Sequence, residues 1–287
     1  MSIPRIDPHA HTRCSDGTDS PRELMAAARA AGLSVVGITD HDTTAGWDEA
    51  AAAVDEVGVG LLRGAEVSCS WRGITVHMLS YLHDPAHRAL RDLYADIHAA
   101  RQRRITEMVS RISRDYPIDL DDVTRQAGPG VAIGRPHIAD ALIEAGCFRH
   151  RNEVFARVLA VSSPYYVRYD APDARDVIRA IRDAGGVPVL AHPRPLNRQR
   201  RVIPGDEIGR WARAGLFGVE VDHPDHTAEW RVAVSTIARR YGLVETGSSD
   251  YHGRGKTTRL GDNLTAPSAL ERIVAEGCLP LLTPALR

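Results

Sequence analysis

An α/β barrel is the fold this sequence predicts. Short β-branched segments alternate with Ala/Arg/Leu-rich amphipathic ones, about seven strand candidates occur, and 287 residues suffice for one barrel of roughly 250. The first strand is expected over residues 6–11. A helix then begins at Ser20, a natural N-cap, with Pro21 at its first position, Glu23 placed to close a capping box and Gly32 as its stop. Residues 34–39 read as a buried strand and 45–57 as a helix, followed by strands at 60–67 and 74–81. From 85 to 159 only helical patterns occur, so residues 101–163 are expected to form an inserted helical cap domain, leaving 1–100 and 164–287 to the barrel. The barrel rhythm resumes with helices at 172–184, 206–214, 227–241 and 268–276, and with strands at 187–191, 217–221 and 243–246.

Composition narrows the function. With 36 basic and 37 acidic residues, the formal charge of −1 supplies no global field for nucleic acid or anionic membrane, so a polyanionic substrate must be held locally. The basic runs at Arg101, Arg103 and Arg104 and at Arg198, Arg200 and Arg201 are expected to be solvated. Cys14, Cys69, Cys147 and Cys278 form no CxxC pair and are expected to be reduced, small buried residues. The N-terminal segment lacks a basic stretch followed by an apolar run, and no stretch of about 18 apolar residues occurs, so a soluble cytoplasmic protein is expected.

Metal-competent side chains recur at the strand ends, where βα barrels place their active sites. His9 and His11 follow the first strand, Asp40, His41 and Asp42 the second, and Glu66 ends the third. His77 lies within the fourth, and His192, His223 and the pair Asp250 and His252 follow the last three. On extended backbone the spacing of His9 and His11 points both imidazoles to one side, and Asp250 and His252 repeat it. Imidazole with carboxylate suits zinc, manganese or iron, and Glu66 could bridge two ions. His83, His87, His98, His137, His150 and His226 fall outside the pattern and are expected at the surface or behind the ligands. Asp16 stands in a turn sequence, SDGTDS, and Asp40 could cap the next helix.

The segments DPHAHTRCSDG, ITDHDT, GAEVS, the later His77, LAHP and GSSDYHG, taken together and in order, resemble the PHP (polymerase and histidinol phosphatase) metallophosphoesterases. The resemblance implies a distorted (β/α)7 barrel with a trinuclear site, and two or three divalent metal ions (Mn, Zn or Fe) as cofactors. One ion would be held by His9, His11, Glu66 and Asp250, a second by Glu66, His77 and His192, and a third by Asp16, His41 and His252. The GRPHIADAL and VDHPDH segments look like the branch of nucleoside 3',5'-bisphosphate phosphatases and 5'-3' exoribonucleases. That implies hydrolysis of nucleotide phosphomonoesters by metal-activated hydroxide, with Arg135 and His223 towards the phosphate and Asp250 orienting the water. Without the resemblance, Arg135 could equally be a solvent-facing arginine at a helix start. Arg194 is a further substrate-binding candidate, although the motifs fix neither it nor Arg168. A short RNA 5' end, histidinol phosphate or another small metabolite are the alternative substrates. C–N hydrolysis on an amidohydrolase barrel and an inert module are rival readings, against which the full ligand set speaks. No membrane and no obligate protein partner are expected.

Overall fold

A computed structural model describes residues 3–127, 133–168, 170–193 and 202–285. The chain divides into two compact units, residues 1–94 with 172–287, and residues 95–171.

The first unit is a nearly closed barrel of seven strands in chain order: β1 (Ile6–Asp7), β2 (Val35–Ile38), β3 (Gly60–Trp71), β4 (Ile74–Tyr81), β5 (Val187–Leu190), β6 (Gly218–Asp222) and β7 (Val244–Gly247). Neighbours pair in parallel except β4, which is antiparallel to both β3 and β5. A two-residue turn explains the reversal: Arg72 and Gly73 both have positive φ, 46° and 79°, the twist that a tight hairpin requires. A parallel bridge from Ala10 to Tyr251 links the two ends of the sheet.

Around the strands lie α1 (Pro21–Ala30), α2 (Trp47–Val57), α7 (Ala174–Asp183), α8 (Gly205–Arg213), α9 (Ala228–Tyr241) and α10 (Pro267–Glu276). The expected capping box of α1 is present, with Glu23 N–H donating to Ser20 Oγ at 3.1 Å and Ser20 N–H donating to Glu23 Oε2 at 2.7 Å. Buried side chains of α1 and α2, among them Leu24, Met25, Trp47 and Val54, pack on Val36, Ile38 and Leu61 of the sheet. A second cluster joins Ile6, Leu62, Leu79, Val187 and Val189 to Leu270 and Ile273 of α10. Burying each such side chain is worth roughly 1.5–3 kcal/mol.

Four helices, α3 (Arg88–Ile112), α4 (Leu120–Ala127), α5 (Arg135–Glu144) and α6 (Arg151–Arg157), account for the strand-free stretch. The second unit has its own core, built on Met108, Ile112, Val123, Ile138, Leu142, Val154 and Leu159.

Several local expectations change. β1 is shorter than residues 6–11, and β3 runs on to Trp71, which places Glu66 inside the strand rather than at its end. Arg104 is not simply solvated: its Nε donates to Val167 O at 2.8 Å and its guanidinium lies over the Tyr166 ring. Of the cysteines only Cys69 is buried, while Cys14 and Cys147 are half-buried and Cys278 is exposed. His83, His137 and His226, expected at the surface or behind the ligands, are buried. His83 serves the core, its Nδ1 against Ser80 Oγ at 2.7 Å. His137 caps α5, accepting at Nδ1 from Gly134 N–H at 3.0 Å. Residues Arg198, Arg200 and Arg201 lie outside the described residues.

Candidate metal centre

Nine side chains converge at one mouth of the barrel. His9 Nε2 and His11 Nε2 are 3.0 Å apart, and both face Glu66 Oε2, at 3.4 and 3.1 Å, and Asp250 Oδ1, at 3.5 and 3.4 Å. The other oxygen of Glu66, Oε1, faces His77 Nδ1 at 2.8 Å and His192 Nε2 at 2.9 Å. Asp16 Oδ1 meets His252 Nε2 at 3.2 Å, and His41 reaches Glu66 Oε2 with Nδ1 at 3.2 Å and Asp16 Oδ2 with Nε2 at 3.9 Å. Glu66 thus turns one oxygen to each side of the cluster, as a bridging carboxylate does.

Backbone strain marks the same place. Asp42, His192 and Asp250 have φ of 55°, 25° and 50°, a region that non-glycine residues enter at a cost of about 1–3 kcal/mol. Two of them are held there by hydrogen bonds to their surroundings. Asp42 carboxylate accepts from Ser68 N–H and Oγ at 2.6 and 2.8 Å. His192 N–H donates to Glu220 Oε2 at 2.8 Å.

Asp40 and Asp42 share the strand-end placement of the candidate ligands but turn to other work. Asp40 caps no helix: it accepts from Thr12 N–H (2.7 Å), Thr12 Oγ1 (2.6 Å) and Ser15 Oγ (2.6 Å), which shapes the loop that carries Asp16. That loop packs on the Gly253 turn, where φ is +64° and an added Cβ would lie 2.0 Å from Thr18 Oγ1, so only glycine fits.

Glu220 of β6, fully buried, was not among the sequence candidates. Its Oε1 accepts from His9 Nδ1 at 2.9 Å and from Ser248 Oγ, and its Oε2 accepts from His192 N–H. The available signal was an acidic residue between two valines in an expected strand. His252 Nδ1 likewise donates to Asp250 O at 2.9 Å, so in the neutral tautomer each of His9 and His252 would turn an unprotonated Nε2 to the cluster.

Electrostatics favour ionised carboxylates. Burial opposes ionisation of Glu66, Asp16 and Asp250, but His77, His41 and His9 around Glu66, His252 and His41 around Asp16, and Lys256 and His252 around Asp250 hold all three well below the usual range. Glu220, in spite of its burial, is brought down to about 2, chiefly by His9. Burial holds His41 well below its ordinary value and lowers His252. Burial would also lower His11, but Asp250 and Glu66 carry it up to about 9.

This donor set fits divalent metal ions. Asp16 Oδ1, His41 Nδ1 and His77 Nδ1 are buried yet lack a partner in hydrogen-bonding geometry, a costly condition that an ion would relieve. Four overlapping groups have ligand atoms within 4.8 Å of one another: His11, Asp16, His41 and His252; His9, Glu66 and His192; His9, His11 and Asp250; His41, Glu66 and His77. Mixed nitrogen and oxygen donors suit zinc, manganese or iron.

Of the other candidates, His223 stands beside the cluster, with Nε2 3.5 Å from Asp250 Oδ2. Arg135 belongs to the helical unit, where it opens α5 and lies over the Phe155 ring at 5.5 Å. Arg168 is exposed in that same unit, and Arg194 lies outside the described residues.

Comparison with known proteins agrees with this geometry. Residues 7–183 match the PHP domain family model. The chain is 32% identical over 282 residues to a 3',5'-nucleoside bisphosphate phosphatase of Chromobacterium violaceum, covering 98% of this chain and 99% of that protein. It is 30% identical over 268 residues to a 5'-3' exoribonuclease of Haemophilus influenzae, covering 91% and 94%. Its fold matches, with a TM-score of 0.93 and 43% identity over 96% of this chain and 97% of the other, the crystal structure of a Bifidobacterium adolescentis protein provisionally named a metal-dependent phosphoesterase.

Proposed function

This chain belongs to the PHP-domain family, and from that membership we propose that it is a metal-dependent phosphoesterase hydrolysing phosphomonoesters of nucleotides, either nucleoside 3',5'-bisphosphates or 5'-nucleotides. The observation that carries the reading is the convergence of nine His, Asp and Glu side chains at one mouth of the barrel, five of the histidines facing Glu66, with buried nitrogen and oxygen atoms left unpartnered.

The proposed ligands are His9, His11, Asp16, His41, Glu66, His77, His192, Asp250 and His252, for two or three ions of manganese, zinc or iron. Bound there, divalent ions supply a water of lowered pKa and positive charge against the phosphate. The protein's own groups do the rest. Glu66 and Asp250 keep ionised oxygens turned inward, and Asp250 Oδ1 is placed to orient a water. His223 accepts at Nδ1 from Asp225 N–H at 3.0 Å, so the neutral ring carries its proton on Nε2 and can donate it to a phosphate oxygen. Arg135 and Arg194 are proposed as phosphate-binding residues on the family resemblance. Among the described residues no helix is long and apolar enough to cross a membrane, and the cytoplasm is the proposed location.

Phosphate release from pAp, AMP, histidinol phosphate and a short 5'-phosphorylated RNA, by protein loaded with manganese or zinc, tests the proposal. Preference for a nucleotide monoester, lost in Asp250→Asn, is expected. Preference for the RNA would move the assignment to an exoribonuclease, and for histidinol phosphate to a metabolite phosphatase.

A further inference from the structure

Thirty-five of the 36 basic side chains are arginine, and Lys256 is the only lysine. It does not lie on the surface with the bulk of them. It follows the short turn Gly253–Gly255, and its Nζ sits 2.5 Å from Asp250 Oδ2, with 26% of the Lys256 side chain exposed and 3% of Asp250.

Asp250 divides its two oxygens. Oδ1 faces His9, His11 and His252, whereas Oδ2 faces Lys256 and His223. Oδ2 is therefore where the proposed metal cluster meets two hydrogen-bond donors. His223 Nε2 is buried without a partner in hydrogen-bonding geometry. Lys256 Nζ has three N–H donors, and Asp250 is its one partner among the described residues. The partial exposure of Lys256 leaves its remaining donors open to a ligand.

We propose that Lys256 is a substrate-binding residue, its ammonium bridging Asp250 Oδ2 and a non-bridging oxygen of the substrate phosphate, with His223 Nε2 donating alongside. The inference rests on the phosphoesterase reading above and adds a residue to it. Lysine suits this place better than arginine. A compact ammonium presents rotatable donors to two oxygens at different angles, whereas a planar guanidinium would grip the carboxylate in a paired fork and turn its remaining donors away.

A single lysine makes the test direct. The metal-loaded wild-type protein is pulse-labelled with acetic anhydride, with and without inorganic phosphate, and acetylation of the Lys256 peptide is followed by mass spectrometry against the α-amino group. Phosphate at about ten times its inhibition constant should slow labelling of Lys256 about tenfold, because about nine-tenths of the sites are then filled. Lys256→Met should lower kcat/KM about 10- to 100-fold, the size of one lost charged hydrogen bond, with metal content unchanged. Should Lys256→Met fold poorly, the labelling of the wild type decides alone. Phosphate that inhibits the wild type yet leaves labelling unchanged would overturn the Lys256 contact and leave the phosphoesterase assignment standing. Loss of metal in Lys256→Met would also overturn it, since the lysine would then act by orienting Asp250. A wild type that neither binds phosphate nor releases it from any ester would remove both.

Discussion

Glu220 Oε1 accepts a hydrogen bond from His9 Nδ1 at 2.9 Å, while its second oxygen accepts from the backbone N–H of His192. One carboxylate thereby fixes the ring of one proposed ligand and the strained backbone of another, just past the ends of β1 and β5, from a position on β6. Glu220→Gln has the same shape but only one acceptor oxygen, so it can serve His9 or His192 and not both. Metal affinity is expected to fall about 10- to 100-fold, measured by competition with a chelator. Affinity within twofold of wild type would show that the carboxylate only fills space.

Asp40 should matter through the loop it shapes. Asp40→Ala leaves the buried Thr12 N–H without its acceptor, at a cost of about 1–3 kcal/mol. The loop carrying Asp16 loosens, and the ion assigned to Asp16, His41 and His252 should be lost first. Metal counting by mass spectrometry should show about one ion fewer per chain than wild type, with equal metal content in the two counting against this role.

His83 gives the fold an acid limit. Burial carries it from 6.5 down to about 4, so the folded chain holds it neutral where the unfolded chain takes up a proton. Its contribution is fully present above pH 6.5, falls as pH drops from 6.5 towards 4, and changes no further below that, for a total of about 3 kcal/mol. His83→Phe, which keeps a ring against Trp47 and Tyr94, should flatten this part of the stability–pH curve in urea titrations. An unaltered slope between pH 6.5 and 4 would assign the acid sensitivity elsewhere.

Arg135 is tested by kinetics. If it holds phosphate, Arg135→Ala should lower kcat/KM about 10- to 100-fold with metal content intact, the size of a lost charged hydrogen bond. An unchanged kcat/KM would confine Arg135 to packing on Phe155 and opening α5.

Much of this was legible in the sequence because it depends on local rules. The Ser20 and Glu23 capping box, the helices and the seven strands follow from periodicity and end signals over a few residues each. His9, His11, Glu66, His77, His192, Asp250 and His252 stood out because ligand types recur on strands and just past them. Glu220, Ser248 and Lys256 did not stand out, since their roles exist only across strands: Glu220 becomes meaningful when β1, β5 and β7 bring His9, His192 and Ser248 to it. Asp40 and Asp42 had the right type and place for ligands, yet nearby backbone donors in Thr12 and Ser68 claimed them. The reversal of β4 was not read from the sequence: the third strand was expected to end at 67, and only its continuation to Trp71 leaves Arg72 and Gly73 as the two-residue turn that brings His77 to the mouth from inside a strand.

The bridge between Ala10 and Tyr251 joins the first strand region to the last, and with it the earliest proposed ligands to the latest. During synthesis His9 and His11 leave the ribosome long before Asp250 and His252 exist. At roughly 5–20 residues per second the delay is on the order of tens of seconds. Until then the nascent chain holds histidines and Glu66 without the carboxylate that completes their cage. On the proposed assignment, metal capture would wait for the last strand end, and a product truncated before residue 250 would lack two of the nine proposed ligands, Asp250 and His252.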